Sequence, residues 1–319
     1  MTIDGEPGRD DTTRSQLDRL LALAAERDPV RTAVVHPCDA VSLGGALEAF
    51  RMRLILPVLV GPPAKIAAAA AEAGEDLTGI RIVAVEHSHA AAQEACRLAR
   101  AGEVDAIMKG SLHTDEVLAA AVDRASGLRT DRRMSHVFIL DVPTYPRPLL
   151  VSDAAINIAP DLATKADIVQ NAIDCAHALG IPKPRVAILA AVETVHPDMP
   201  ATTDAAALAK MADRGQIVGG IIDGPLAFDN AISKAAADSK RIVSAVAGLA
   251  DVLIVPNIEA GNMLAKQLAY LANAQSAGIV MGARVPIILT SRADGRLSRL
   301  ASCAAAVLVA QHVRTKPVR

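Results

Sequence analysis

The stretch DVLIVPNIEAGNMLAKQLAYL, residues 251–271, decides how the chain is read. Its first half is apolar at successive positions from Val252 to Val255, the mark of a strand covered on both faces. Its second half sets Leu264, Leu268 and Leu271 along one helical face. A both-sides-buried strand that passes directly into an amphipathic helix is the repeating unit of an α/β fold with a mostly parallel sheet.

Working outward, the same alternation recurs. Strand candidates are LILPVLVG (54–61), IRIVAVE (80–86), DAIMKG (105–110), SHVFILDV (135–142), PLLVSD (148–153), RVAILAAVE (185–193), IVGGIIDG (217–224), AGIVMG (277–282) and VPIILTS (285–291). Helical patterns lie between them; in 161–179, Ile168, Ala172, Cys175, Ala176 and Leu179 share a stripe that Gly180 and Pro182 terminate. The least regular passage is DVPTYPRPLL (141–150), broken by Pro143, Pro146 and Pro148, and a domain crossing is expected there. Beyond Gly295 the chain reads as one Ala-rich helix, too small for a domain.

Composition excludes several function classes. Of 319 residues 51% are hydrophobic but only 2% aromatic, so a base-stacking platform for nucleic acid is not expected. A net charge of -2 supplies no broad basic field for a polyanion, so a bound anion must be met by a few local cations. Cys38, Cys96, Cys175 and Cys303 are far apart and form no CxxC pair, which suits a reducing cytosol better than a zinc site or disulfide framework. The polar, acidic N-terminus lacks the order of a signal peptide, and residues 1–12 are expected to be loose. No apolar run approaches the roughly 20 residues of a bilayer span, so the expectation is a cytoplasmic protein without membrane contact.

Open α/β sheets bind ligands beyond the carboxyl ends of their strands. Four candidate strands end in polar residues. One leads into Lys109, Gly110, Ser111, His113 and Thr114; a second into Ser152, Asp153 and Asn157; a third into Asn257, Glu259, Gly261 and Asn262; a fourth into Ser291, Arg292 and Asp294. Two of them open helices, whose free N–H groups favour anions. Singly, each has a structural reading: Thr114 as a helix cap, Asp153 as a turn residue, Asn257 and Asn262 as loop residues, Arg292 as a solvated charge. Together they point to a shared cleft. Neither G-x-G-x-x-G after an early strand nor G-x-x-x-x-G-K-[ST] occurs, and no His spacing suits a metal; His136 reads as a structural histidine.

Seven motifs occur in family order: MKGSLHT, GLRT followed by SHVFIL, SDAAINIAPDL, LAAVETVHPDMPATTDAA, DGPLAFDNA, VPNIEAGNMLAKQL and ILTSRAD. In these the chain resembles the phosphate acetyl/butyryltransferase family over about residues 30–310, most of all its butyryltransferase branch and the acetyltransferase domain that elsewhere follows an enoyl-CoA hydratase domain. The resemblance implies reversible transfer of a short acyl group, acetyl to butyryl, between CoA and inorganic phosphate. It implies two α/β domains of isocitrate/isopropylmalate dehydrogenase-like fold around a cleft, the first formed by 1–145 plus 293–319 and the second by 146–292. It also implies a homodimer or larger homo-oligomer, no metal, and no bound cofactor beyond the CoA substrate.

By the same resemblance Ser291 and Arg292 match the family's active Ser-Arg pair, with Arg292 on phosphate and Ser291 donating to the acyl oxygen or thiolate. Asn257, Glu259, Gly261 and Asn262 match the loop facing them, and Asp153 and Asn157 a further cleft loop. Gly110, His113 and Thr114 belong to the motif at the Lys109 exit, while Arg129 and Arg133 are candidates for the CoA phosphates. Two departures stand out. Lys109 lies where acetyl-specific members carry a small Ser-Gly-Ala run, and is placed to meet a phosphate. The carboxylate those members carry beyond the Ser-Arg pair is absent from Gly295-Arg296-Leu297-Ser298, leaving Asp294 or Glu259 as the thiol's base. Two alternatives stay open: a metal- and NAD(P)-dependent decarboxylating dehydrogenase on the same fold, and a non-catalytic protein that binds CoA or acyl phosphate.

Overall fold

The computed structural model describes residues 15–125, 127–290 and 294–315; the N-terminal tail expected to be loose lies outside them. The first half of the chain runs α1 (Gln16–Ala25), β1 (Val30–Val35), α2 (Ala40–Arg51), β2 (Ile55–Gly61), α3 (Pro63–Ala73), β3 (Arg81–Ala84), α4 (Ser88–Arg100), β4 (Ala106–Lys109), α5 (Thr114–Val122) and β5 (Ser135–Asp141). There follow β6 (Leu149–Ser152), α6 (Leu162–Ala178), β7 (Arg185–Leu189), α7 (Pro200–Asp213), β8 (Ile221–Leu226) and α8 (Phe228–Ile232). The last are α9 (Lys234–Ser239), β9 (Val252–Ile254), α10 (Ile258–Leu271), β10 (Gln275–Met281), β11 (Ile287–Ile288) and α11 (Arg296–Thr315).

The strands form one mixed sheet in the order β3-β2-β1-β4-β11-β10-β5-β6-β9-β7-β8. Pairing is parallel except at β11–β10, β10–β5 and β5–β6. The three antiparallel pairings in the middle make the two parallel wings run in opposite directions, so their carboxyl ends face opposite ways.

Register explains how exits from opposed strands still meet. Met108 pairs with Ile288, Ile288 with Ile279, and Ile279 with Val137, so β4 and β11 stop beside the first half of β5. On the other side β6 ends against the same stretch, with Val151 opposite Phe138.

Both faces of the sheet are covered. On one face a continuous apolar core joins α1, α2, α6 and α11 to β5 through Val137 and Ile139. On the other, α4 and α5 cover one wing, through residues such as Cys96, Leu98 and Val117, and the α8–α10 region covers the other, through Ala231, Ala237 and Leu264. The final helix, expected from the Ala-rich tail, is α11. It lies along α1, α2, α6 and β10 and so touches elements of both wings. Its last turn is fixed by Arg314 to Asp105, 2.7 Å away, a carboxylate that Arg31 also holds at 2.9 Å.

Some element bounds differ from those the sequence predicts. VRTAVV forms β1 although Arg31 and Thr32 interrupt its apolar run; Thr32 is buried and turns its hydroxyl onto the carbonyl of Val30. β8 starts at Ile221, not near 217, because Gly219 adopts a left-handed conformation (φ 90) before it. It then continues through Pro225, which is tolerated because β8 lies at a sheet edge.

Candidate active site

A cavity of about 740 Å³ opens where the two face-specific cores meet, lined by Leu112 and Leu289 from one and by Phe138 and Leu140 from the other. Its floor is a product of strand alternation. Val137 and Ile139 face the shared core, so His136, Phe138 and Leu140 face the cavity. α10 forms a wall with Asn262, Ala265, Lys266, Ala269 and Tyr270. Lys109, His113, Thr114, Thr290, Asp294, Gly295 and Ser298 complete a polar rim.

Lys109 sits at the end of β4, where its ammonium donates to the carbonyls of Gly110 (3.2 Å) and Leu112 (3.3 Å). Gly110 is there because the chain passes against β1: a Cβ would lie 2.3 Å from the carbonyl oxygen of Val35. His113 precedes α5, and the Glu116 carboxylate reaches back to its backbone N–H at 3.2 Å, the return half of a capping box.

At the second exit the polar side chains are held by hydrogen bonds within the fold. Asp153 is 2% exposed. Its carboxylate accepts from the backbone N–H groups of His136, Ala155, Ile156 and Asn157 and from the Asn157 side-chain amide. Asn157 also donates to the carbonyl of Met134 at 2.9 Å. Together the pair anchors the turn after β6 to the start of β5, and Ala155 carries that turn to the cavity wall.

The third exit divides its roles. Asn257 caps α10, accepting from the N–H of Ala260 at 2.9 Å. Gly261 lets α10 approach the turn after β6, since a Cβ there would meet the carbonyl oxygen of Asp153 at 2.7 Å. Asn262 donates to the carbonyl of Ala154 at 3.3 Å and lines the cavity. Glu259, in the first turn of α10, is exposed and outside the lining.

At the fourth exit Thr290 and Asp294 line the cavity, while Ser291 and Arg292 lie outside the described residues. Arg129 and Arg133 are exposed and outside the lining; Arg129 bridges to Ala283, and the backbone N–H of Arg133 donates to Asp167. The structure thus gathers Lys109, His113, Thr114, Asn262 and Asp294 around one space.

Sequence reasoning passed over His136 as a structural residue. The residue is 2% exposed and lines the cavity, and its ring packs edge-on to Phe138 with centroids 4.5 Å apart. Burial pushes its imidazole down to about 4, against the opposing pull of the Asp153 carboxylate. The alternation in SHVFIL already places His136, Phe138 and Leu140 on one face; what it lacks is any sign that this face is hollow.

The pattern of the phosphate acetyl/butaryl transferase family matches residues 90–307. The chain belongs to this family. Phosphate acetyltransferase of Rhizobium meliloti is 58% identical over 304 residues, covering 95% of this chain and 96% of that one. Phosphate butyryltransferase of Clostridium acetobutylicum is 39% identical over 293 residues, covering 92% and 97%. A crystal structure of a branched-chain phosphotransacylase from Enterococcus faecalis V583 superposes with a TM-score of 0.78 at 28% identity, covering 89% of this chain and 99% of that one. Family membership agrees with the motif order. The motifs resemble both the butyryltransferase branch and an acetyltransferase domain, and overall identity is higher to the relative named for acetyl transfer than to the one named for butyryl transfer.

Proposed function

We propose that the protein transfers a short acyl group, acetyl to butyryl, reversibly between CoA and inorganic phosphate by direct attack in a ternary complex. The observation that carries this reading is a ligand-sized cavity, with Lys109 and Asp294 on its rim, in a chain that belongs to the phosphate acetyl/butyryltransferase family. In one direction a phosphate oxygen attacks the thioester carbonyl, the C–S bond breaks, and the thiolate leaves and takes a proton. In the other the CoA thiol loses its proton and attacks the acyl phosphate, whose phosphate departs.

Each step asks for a group of a given kind. Phosphate needs fixed cations, and Lys109 supplies one on the rim, with the Arg292 guanidinium as its bidentate holder. The thiol needs a base. Asp294 is preferred to Glu259 because it lines the cavity while Glu259 does not. Ser291 donates to the acyl oxygen or thiolate, and Asn262 fixes the facing wall. Gly110, Asp153, Asn157, Asn257 and Gly261 act by shaping the loops. Arg129 and Arg133 bind the CoA phosphates outside the cavity.

The finer organisation belongs to the same proposal: two lobes of isocitrate/isopropylmalate dehydrogenase-like fold, divided as 1–145 plus 293–319 and 146–292. The wing-specific cores on one sheet face support it. The enzyme works in the cytoplasm as a homodimer or larger homo-oligomer, with acyl-CoA as substrate and no resident cofactor. The decarboxylating-dehydrogenase alternative draws on fold analogy alone, which does not carry chemistry. Phosphate-dependent thiol release, compared across acetyl-, propionyl- and butyryl-CoA, tests the reading. Release with phosphate present supports it, and binding without turnover would return the protein to the non-catalytic alternative.

A further inference from the structure

α10 walls the cavity with one face and leaves another bare. Of its 14 residues only Gly261 and Ala265 are fully buried. Apart from Val243, the four most exposed large apolar side chains among the described residues are Leu271 (83%), Tyr270 (76%), Ile158 (75%) and Met263 (58%). Three of them lie on α10. The fourth adjoins its start, where the Ile158 carbonyl accepts from the backbone N–H of Ile258 at 3.1 Å. Met263 and Tyr270 stand two turns apart and so share one side of the helix, with Leu271 at its end. Large apolar side chains gathered in water at one place are the sign of an interaction surface.

The charges beside this stripe indicate what covers it. Glu259 and Lys266 are also two turns apart and exposed, and neither makes an ion pair or hydrogen bond with another residue. They carry opposite signs, one a turn before Met263 and the other a turn after it. Consider two α10 helices paired antiparallel about a two-fold axis at Met263. Lys266 of one copy then comes level with Glu259 of the other to within one residue, about 1.5 Å of helix rise. The axis makes this pair twice, sets Met263 against Met263, and carries Tyr270 and Leu271 toward Ile158 of the other copy. A patch that complements itself under a two-fold is what an isologous dimer requires.

We propose that the exposed face of α10, together with Ile158, is the interface through which two copies of this chain pair. The inference rests on the homo-oligomer reading and names its surface; it does not depend on the acyl transfer. It bears on the site as well. Asn262, Lys266 and Tyr270 line the cavity from the same helix, so the interface borders the cavity and pairing steadies its wall.

The test is the mass of the full chain in solution, followed by light scattering over a dilution series. Wild type is expected at an even multiple of the 33.1 kDa chain. The mass of a single chain overturns the homo-oligomer reading together with this inference, whereas an odd multiple overturns the inference alone. Met263→Glu sets two carboxylates at the centre and is expected to weaken pairing about 100-fold or more. Glu259→Lys or Lys266→Glu alone brings like charges level twice and is expected to weaken it about ten-fold. The double exchange restores opposite charges and is expected to recover most of that loss. This rescue separates pairing from folding, because a second reversal would not repair a misfolded variant. Variants that keep the wild-type mass at every dilution, or a double exchange no better than either single change, overturn the inference.

Discussion

At the scale of single residues, two cavity side chains make separable predictions. Lys109 donates to the carbonyls of Gly110 and Leu112, bonds an alanine cannot make, and it lines the cavity where the proposed function has it meet phosphate. Lys109→Ala is expected to raise KM for phosphate or CoA about ten-fold while leaving kcat within a few-fold; unchanged kinetics would remove Lys109 from the site. His136 makes a prediction about stability. Its folded-state value of about 4 lies below the 6.5 of a free imidazole, so between those values the unfolded chain binds more protons than the folded one. Stability from this group is complete above pH 6.5 and is lost as pH falls toward the lower folded-state value. Urea unfolding across that window should show a smaller loss in His136→Phe than in wild type, and equal losses would contradict the burial argument. Asp153 shows the limit of reading residues singly: the sequence offers a carboxylate at a strand exit, and only the fold reveals that five donors already occupy it.

At the scale of elements, the turn after β6 and the start of α10 behave as one unit. Gly261 lets the helix backbone approach Asp153 and Ala154, and Asn262 then bonds the carbonyl of Ala154. Gly261→Val forces a Cβ to within 2.7 Å of the Asp153 carbonyl oxygen. It is expected to cost about 1–3 kcal/mol and to lower activity by displacing Asn262. Thermal unfolding and turnover measured together check this, and a fully stable, fully active Gly261→Val protein would contradict it. Much of this scale was legible in advance. The apolar runs ending near Lys109, Ser152 and Ile254 became β4, β6 and β9, because a strand buried on both faces leaves an unbroken apolar signature. β1 was missed because Arg31 and Thr32 break that signature, and β11 shrank to Ile287–Ile288 because pairing with β4 and β10 extends no further.

At the scale of the whole molecule, the decisive feature is the reversal of strand direction at β11, β10, β5 and β6, which the sequence carries no sign of. Without it the carboxyl-end rule would gather every exit on one edge. With it, short strands from each wing stop along one stretch of β5, and the cavity forms over them. Helices on both faces of the sheet bury three of the four thiols. Burial pushes Cys96 up to about 11 and Cys175 and Cys303 to about 12, while Cys38 is half-buried. At about pH 8 a thiol reagent is therefore expected to modify native protein at Cys38 alone and to reach the other three only after unfolding. Labelling of Cys175 or Cys303 in folded protein would contradict the packing described.

The central claim is that the acyl group passes directly between thiol and phosphate, with Arg292 holding the phosphate. The most direct test is thiol release from acetyl-CoA, followed with and without phosphate in wild type and in Arg292→Ala. Release is expected to require phosphate and to fall by about 100-fold or more in the variant. Release that ignores phosphate, or an Arg292→Ala enzyme as fast as wild type, would contradict the account.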